Sequence, residues 1–290
     1  MIIQGYIFSL ISALFSAGAA IGQKKVLFKE SVLNFSIVFS LFNLILVLPL
    51  FFTMDFSKLT LLNLLILLVK SSLEAAAFVC VLIGIKNMEI SKALPLLILT
   101  PGLVAISAFI FLGESLTFLE IFGLVLLTVG IYLLSFHKED NKKAILKSYF
   151  KHYIFMITAL FLFTITAILD KTLLSIFKFS INEFMGFQHL FILIIFLSFL
   201  LFSDKNKTIK KTFKNSWKII LLISIFTIIY RYTNLLAVQI APVALALALK
   251  RTSVLIAVII GGKFFKENNL LIRIIATTIM TAGAFLIIFG

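Results

Sequence analysis

The sequence predicts an all-α integral membrane protein with ten transmembrane helices, arranged as two inverted five-helix repeats. Three observations lead to this prediction: an excess of apolar residues, ten apolar runs of spanning length, and a repeat that relates the two halves. Of the 290 residues, 62% are hydrophobic and only 13% are charged, whereas a soluble domain carries about a quarter charged residues. Such a chain has too little polar surface to cover a water-soluble globule.

The apolar runs have the length of membrane-spanning helices. A helix needs about 20 apolar residues to cross the hydrocarbon core. The runs are continuously apolar and do not alternate with polar residues, which favours helices over the strands of a barrel. Only 137–151 and 203–216 are long and charged enough to be interpreted as true loops. The ten predicted spans are 3–23, 32–53, 60–84, 90–112, 117–136, 152–170, 181–202, 217–239, 242–262 and 269–289.

The net charge of +14 is interpreted through membrane topology. Most of the 26 lysines and arginines flank spans on one side of the predicted membrane, where they determine orientation and contact anionic lipids. That side is predicted to be cytoplasmic, which places both termini outside. No nucleic-acid partner is expected, since the cations follow the spans and do not form a basic face.

The two halves resemble each other at a fixed offset of 153 residues. Glu114 corresponds to Glu267, and each precedes a span on which it is expected to stabilise the positive N-terminal end. On those spans small residues recur seven apart and allow helices to approach closely. Five spans per half is an odd number, so the second half must be inverted. The predicted domains are a first repeat at 1–137, a charged linker loop at 138–151 and a second repeat at 152–290.

Two short motifs carry a family resemblance. Leu112-Gly113-Glu114 closes the fourth span and Phe265-Lys266-Glu267 closes the ninth, with Pro101 on the fourth span. Together with the repeat, they resemble the drug/metabolite transporter superfamily, in particular its EamA-like family. The resemblance implies secondary transport through a central cavity lined by the first, third, fourth, sixth, eighth and ninth spans.

Four cations and one carboxylate lie well inside the predicted spans, away from the span ends, and such residues are functional candidates because burying a charge in lipid is costly. They are Lys70, Glu74, Arg231, Lys250 and Arg251. Three explanations stay open. In the first, some cations pair with Glu74 while others reach water or headgroups. In the second, the cations line a hydrated cavity that attracts an anionic substrate. In the third, they hold a lipid phosphate.

Several polar neighbours complete the predicted site. Tyr230 and Asn234 flank Arg231 and are expected to orient a substrate. The adjacent Lys250 and Arg251 also resemble the pair with which plastid sugar-phosphate translocators bind phosphate. Asp170 is interpreted as a solvated helix end, and Gln188 and His189 as secondary candidates on a span outside the expected cavity. The predicted substrate-binding residues are Lys250, Arg251, Arg231, Lys70, Glu74, Tyr230 and Asn234.

The sequence therefore favours a secondary transporter that moves a small anionic metabolite by alternating access, with Glu74 as a candidate for proton coupling. Two alternatives stay open: an exporter of neutral or cationic amino acids or drugs governed by Glu74, and a flippase for lipid-linked phosphate. No enzyme activity is expected, because the sequence offers no nucleophile–histidine–carboxylate set and no metal-ligand cluster. The expected partners are a small-molecule substrate and lipids, without a cofactor, in a monomer or homodimer.

Overall fold

The computed structural model describes residues 2–55, 60–107, 117–135, 142–201, 206–240 and 243–289. Within these ranges the regular structure is helical, with no β-strand. Besides α-helices, the chain contains 3-10 helices at Leu48–Thr53 and Leu94–Leu99 and a π-helical turn at Thr172–Ile176. The α-helices are α1 (Ile2–Leu27), α2 (Val32–Val47), α3 (Leu61–Asn87), α4 (Ile90–Ala93), α5 (Thr100–Ser107), α6 (Phe118–Ser135), α7 (Lys142–Lys171), α8 (Ile181–Leu201), α9 (Asn206–Ile240), α10 (Val243–Phe264) and α11 (Leu270–Phe289).

Seven of the described helices are long and apolar enough to cross a membrane. They lie in α1, α2 with its 3-10 extension, α3, α7, α8, α9 and α11. Two shorter apolar helices, at Ile90–Leu103 and Phe118–Leu134, correspond to the fourth and fifth predicted spans. The structure therefore supports a multi-pass integral membrane protein, and the count of ten spans stays a prediction.

Two helices begin earlier than the hydropathy of the sequence predicts. α7 begins at Lys142, inside the predicted linker, and α9 begins at Asn206, inside the predicted loop at 203–216. The loop interpretation is wrong over 206–216, where the backbone is helical. Hydropathy marks where a chain leaves the hydrocarbon core, but lysine has good helix propensity and a formed helix propagates into water.

The fourth predicted span is not one regular helix. Its α-helical start, α4, passes into the 3-10 helix Leu94–Leu99, which has Pro95 in its first turn, and α5 follows with Pro101. Proline lacks a backbone N–H and clashes with the preceding turn, so it interrupts regular α-helix. The interruption lies beside the cavity described below.

Polar side chains fix the starts of several helices. The Ser31 hydroxyl accepts a hydrogen bond from the Asn34 N–H at 3.2 Å and caps α2. Thr117 and Glu120 satisfy each other's backbone N–H groups at the start of α6, with distances of 2.7 and 3.2 Å. Ser180 and Glu183 form the same reciprocal box, at 3.0 and 3.2 Å, before α8. These boxes satisfy N–H groups that have no partner within the helix.

The helices of the two halves pack in pairs. α1 packs on α9 and α3 packs on α7, while α6 packs on α11. At the last crossing a methyl group added to Gly123 would lie 2.6 Å from the carbonyl oxygen of Gly283, and one added to Gly130 would lie 3.0 Å from that of Ala276. Ascending positions on α6 thus meet descending positions on α11, so the two helices cross in antiparallel directions at glycines that permit close approach.

The core and the outer surface are both apolar. The largest buried cluster joins residues of α1, α2, α3, α9 and α10, including Leu27, Phe35 and Leu82. Large apolar side chains such as Phe161 and Phe199, on α7 and α8, remain exposed on the outside. Exposed apolar surface on this scale fits contact with lipid tails.

Candidate functional site

A cavity of about 310 Å³ lies between the two halves. Its walls are formed by α1, α3, the 3-10 helix after α4, α7, α9 and α10. These elements correspond to the first, third, fourth, sixth, eighth and ninth predicted spans, which are the ones that the family resemblance implies. Small residues of α1, among them Ala17 and Ala20, leave room for the cavity on that side.

The cavity borders a group of six charged residues that we call the cavity cluster: Lys70, Glu74, Asp170, Arg231, Lys250 and Arg251. Glu74 is its centre. The carboxylate of Glu74 forms ion pairs with Lys70, four residues earlier on α3, and with Arg231 on α9. The Gln188 side chain donates a hydrogen bond to Glu74 Oε2 at 2.5 Å. Glu74 is therefore held by groups from three helices.

Lys70 is held by a second carboxylate. Its Nζ lies 2.8 Å from Asp170 Oδ1 at the end of α7, and 4.7 Å from the centre of the Phe184 ring. The Lys70 side chain is 1% exposed, so it cannot reach water or headgroups. Lys70 thus links α3 to α7 and has a structural position beside the cavity.

Lys250 and Arg251 stand apart from these pairs. Both line the cavity from α10, and among the described residues no carboxylate forms an ion pair with either. Lys250 Nζ lies 5.9 Å from the centre of the Tyr230 ring, within range of a cation–π interaction. Two cations without carboxylate partners give this side of the cavity a local excess of positive charge, and a low dielectric strengthens the field of that charge.

The structure gathers the seven predicted site residues into one region. Tyr230 and Asn234 line the cavity with Arg231, and Asn234 Oδ1 has no hydrogen-bond partner among the described groups. Lys70 and Arg231 follow the pairing explanation, whereas Lys250 and Arg251 line the cavity without a carboxylate partner among the described residues. Their roles in substrate binding stay a prediction.

Sequence reasoning missed two members of this region. The sequence predicts a solvated helix end at Asp170, but its side chain is 35% exposed and contacts Lys70. Gln188 was a secondary candidate, and it is fully buried against Glu74. Both contacts join residues about a hundred positions apart, so no spacing within a helix could have indicated them.

A second group of charged and polar residues joins the two halves away from the cavity, and we call it the connector network: Lys24, Glu89, Ser91, Glu267 and Arg273. It joins the connection between α3 and α4 to the connection between α10 and α11. Lys24 Nζ lies 3.1 Å from Glu267 Oε1 and donates to the Met88 carbonyl oxygen at 2.7 Å. Arg273 pairs with Glu89 at 2.7 Å.

The contacts of Glu267 contradict the expectation that it stabilises the start of the helix that follows it. It does not act on its own following helix, α11, but accepts the Ile90 and Ser91 N–H groups at 2.6 and 3.0 Å, at the start of α4 in the other half. The positive end of α4 is thereby neutralised across the interface between the halves. The short connection at Lys266, whose φ is 52°, turns the chain so that Glu267 faces α4. The corresponding Glu114 lies outside the described residues.

Glu89 lies in the connection between α3 and α4, where two opposing influences act on its carboxyl group. Burial raises the pKa, but hydrogen bonds from Arg273 and Lys92 and the charges of both outweigh burial. The pKa of Glu89 is therefore lowered from its ordinary value of 4.5.

Comparison with known protein families gives a match over nearly the whole chain. A model of the EamA-like transporter family matches the chain twice, over residues 3–136 and over residues 150–289. The two matched segments coincide closely with the two predicted repeats. No curated protein matches the chain.

Proposed function

The chain belongs to the EamA-like transporter family, and on that premise we propose that it is a secondary transporter that moves a small phosphate- or carboxylate-bearing metabolite by alternating access. Members of this family are membrane transporters of small molecules. The anionic preference rests on one observation: Lys250 and Arg251 line the cavity without a carboxylate partner among the described residues.

Charge balance supports an anion over an amine. The cavity cluster contains four cations and two carboxylates, Glu74 and Asp170, and both carboxylates are already engaged by Lys70 or Arg231. An amine would have to displace Lys70 or Arg231, whereas an anion meets Lys250 and Arg251 directly.

We propose that the two halves are inverted five-helix repeats within ten spans. Two features support the inversion. The pairs α1–α9 and α3–α7 are equivalent if the first span corresponds to the sixth and the third to the eighth. Gly123 corresponds to Ala276 and Gly130 to Gly283, and Gly123 meets Gly283 while Gly130 meets Ala276. Crossed contacts of this kind are what a two-fold axis between two helices produces.

The connector network supports a state that is closed at one end. It ties Lys24 and Ser91 of the first half to Glu267 and Arg273 of the second, and the partly exposed Asp170 lies at the opposite end of the cavity cluster. The charge rule for membrane topology puts the connector network on the cytoplasmic side. The proposed state is therefore outward-facing, and the network must open for the inward-facing state.

A flippase for lipid-linked phosphate shares the anionic chemistry of this proposal and differs in the source of the anion. The test uses purified full-length protein and a panel of inorganic phosphate, glycerol 3-phosphate, succinate, spermidine and short-chain phosphatidic acid. A ligand that binds only the folded protein stabilises it by about 2.7 kcal/mol at a hundredfold excess over its Kd. We expect raised melting temperatures with the soluble anions, followed by their uptake into proteoliposomes.

Two outcomes of this screen contradict the proposal. Stabilisation by spermidine alone would make the protein an exporter of amines. Stabilisation by phosphatidic acid without any effect of the soluble anions would make it a lipid-phosphate carrier.

A further inference from the structure

A second, smaller cavity of about 80 Å³ adjoins the first, and we call it the side chamber. It lies between α2, α3, α8 and α9. Glu74, Tyr230 and Arg231 border both cavities, together with two phenylalanines. A group that enters the side chamber from the main cavity therefore passes Tyr230, whose ring lies 5.9 Å from Lys250 Nζ.

The walls of the side chamber carry buried polar groups that lack partners. Asn43 on α2 and His189 on α8 are each 2% exposed. Asn43 Oδ1 and both ring nitrogens of His189 have no hydrogen-bond partner among the described residues. Buried polar atoms in folded proteins are nearly always hydrogen-bonded, so we expect these three atoms to form hydrogen bonds with a group inside the chamber.

The hydrogen-bonding properties of these atoms favour a neutral group as the occupant of the side chamber. The side chamber adjoins a cavity cluster with an excess of cations, and a neutral imidazole at His189 offers one donor and one acceptor. Asn43 Oδ1 offers a further acceptor. A hydroxyl group both donates and accepts, which complements this set. An ammonium group is disfavoured by the same excess of cations, and the volume of about 80 Å³ accommodates only a few heavy atoms.

We propose that the side chamber is a second compartment of the substrate site, in which His189 and Asn43 hydrogen-bond a hydroxyl group of the anion held by Lys250 and Arg251. This proposal rests on the proposed function and narrows the substrate class to hydroxylated phosphates or carboxylates. Water satisfies the same atoms when the substrate is absent.

The experiment compares anions that differ by hydroxyl groups: malate with succinate, lactate with propionate, and glycerol 3-phosphate with propyl phosphate. Affinities are measured by thermal stabilisation of the purified full-length chain. We expect at least one hydroxylated anion to bind at least about tenfold more tightly than its deoxy partner, because a site built to hydrogen-bond a hydroxyl rejects the analogue without one. His189→Phe should remove this preference, so that the hydroxylated anion and its deoxy partner bind this variant with affinities within about twofold of each other.

Matched variants separate hydrogen bonding from general damage. His152→Phe makes the same change in the first half of α7, at a residue that borders neither cavity, and should keep the preference. His189→Asn retains a donor and an acceptor and should keep part of it. If His189→Phe does not fold, nitrogen NMR of histidine-labelled wild type replaces it: the hydroxylated anion should shift the His189 ring signals, and the deoxy anion should not.

The possible failures are distinguishable. Three outcomes would overturn the proposed role of the side chamber and leave the proposed function intact. Anions could bind wild type without any preference for the hydroxyl group, or the preference could survive in His189→Phe. The third such outcome is that the His189 ring signals respond equally to the hydroxylated and deoxy anions. Failure of every anion to bind wild type would overturn the proposed function and the side chamber together.

Discussion

The connector network and the cavity cluster both bury charges between the two halves, but they differ in how those charges are balanced. In the connector network each cation contacts a carboxylate: Lys24 pairs with Glu267 at 3.1 Å and Arg273 with Glu89 at 2.7 Å. In the cavity cluster two cations are paired and the other two, Lys250 and Arg251, have no carboxylate partner among the described residues.

This difference in charge balance distinguishes a region with a structural role from a region with a binding role. Removing two opposite charges from water is unfavourable unless each finds a partner with good geometry, and the connector network meets that condition. A half-buried cation without a carboxylate partner is unfavourable in the empty protein, and a bound anion or hydrating water offsets that cost. Substitutions in the two regions should therefore affect different properties, and four predictions test this.

The largest effect is expected at the centre of the cavity cluster. Glu74→Gln should lower the free energy of unfolding by about 3–5 kcal/mol, because Lys70 and Arg231 both lose the carboxylate that neutralises them. Denaturant unfolding in detergent micelles measures this change. Glu120→Gln, which can still form its capping box before α6, is the control. A loss no larger than that of the control would show that Asp170 alone balances the cluster.

The connector network should show a stability effect without a binding effect. Glu267→Gln should lower the free energy of unfolding by about 2–3 kcal/mol, because charged hydrogen bonds to Lys24 and to the start of α4 are weakened. Anion affinity should stay within about twofold of wild type, since Glu267 does not border the cavity. A large drop in affinity at full stability would mean that the two regions are not separate.

The opposite pattern is expected at the unpaired cations. Lys250→Met should weaken anion binding by roughly 10–100-fold, the equivalent of a charged hydrogen bond, without lowering the free energy of unfolding. Thermal stabilisation by the anions and uptake into proteoliposomes measure the two properties. Lys218→Met, at an exposed position on α9, is the matched control. Normal anion uptake by Lys250→Met would show that Lys250 determines membrane topology and does not bind the substrate.

The smallest predicted effect is a loss of stability at acidic pH. Because the pKa of Glu89 is lowered, its ionised form stabilises the folded state at pH values above its ordinary value of 4.5. This contribution is lost as the pH falls through the lowered pKa. The melting temperature of wild type should therefore fall more steeply below pH 4.5 than that of Glu89→Gln. Equal slopes in melting curves recorded across this range would mean that the Glu89–Arg273 pair contributes nothing to stability.

The sequence alone determined the class of protein and the approximate position of each helix. The predicted span 269–289 matches α11 at Leu270–Phe289, and 181–202 matches α8 at Ile181–Leu201. These features could be predicted because the bilayer imposes a fixed length and an apolar composition on each spanning segment, and both are local properties of the chain. The sequence also identified Lys250, Arg251 and Arg231 as anomalous, since charges inside apolar runs are rare.

Only the tertiary structure decided which charges are neutralised. Glu74 meets Gln188 across 114 positions of sequence, and Glu267 meets Ile90 across 177. The pairing of Lys70 with Asp170, and the absence of a carboxylate partner for Lys250 among the described residues, follow from the packing of α3 on α7 and the position of α10. Hydropathy and spacing describe one helix at a time, whereas a charge in low dielectric is governed by whichever groups the fold brings within a few ångströms of it.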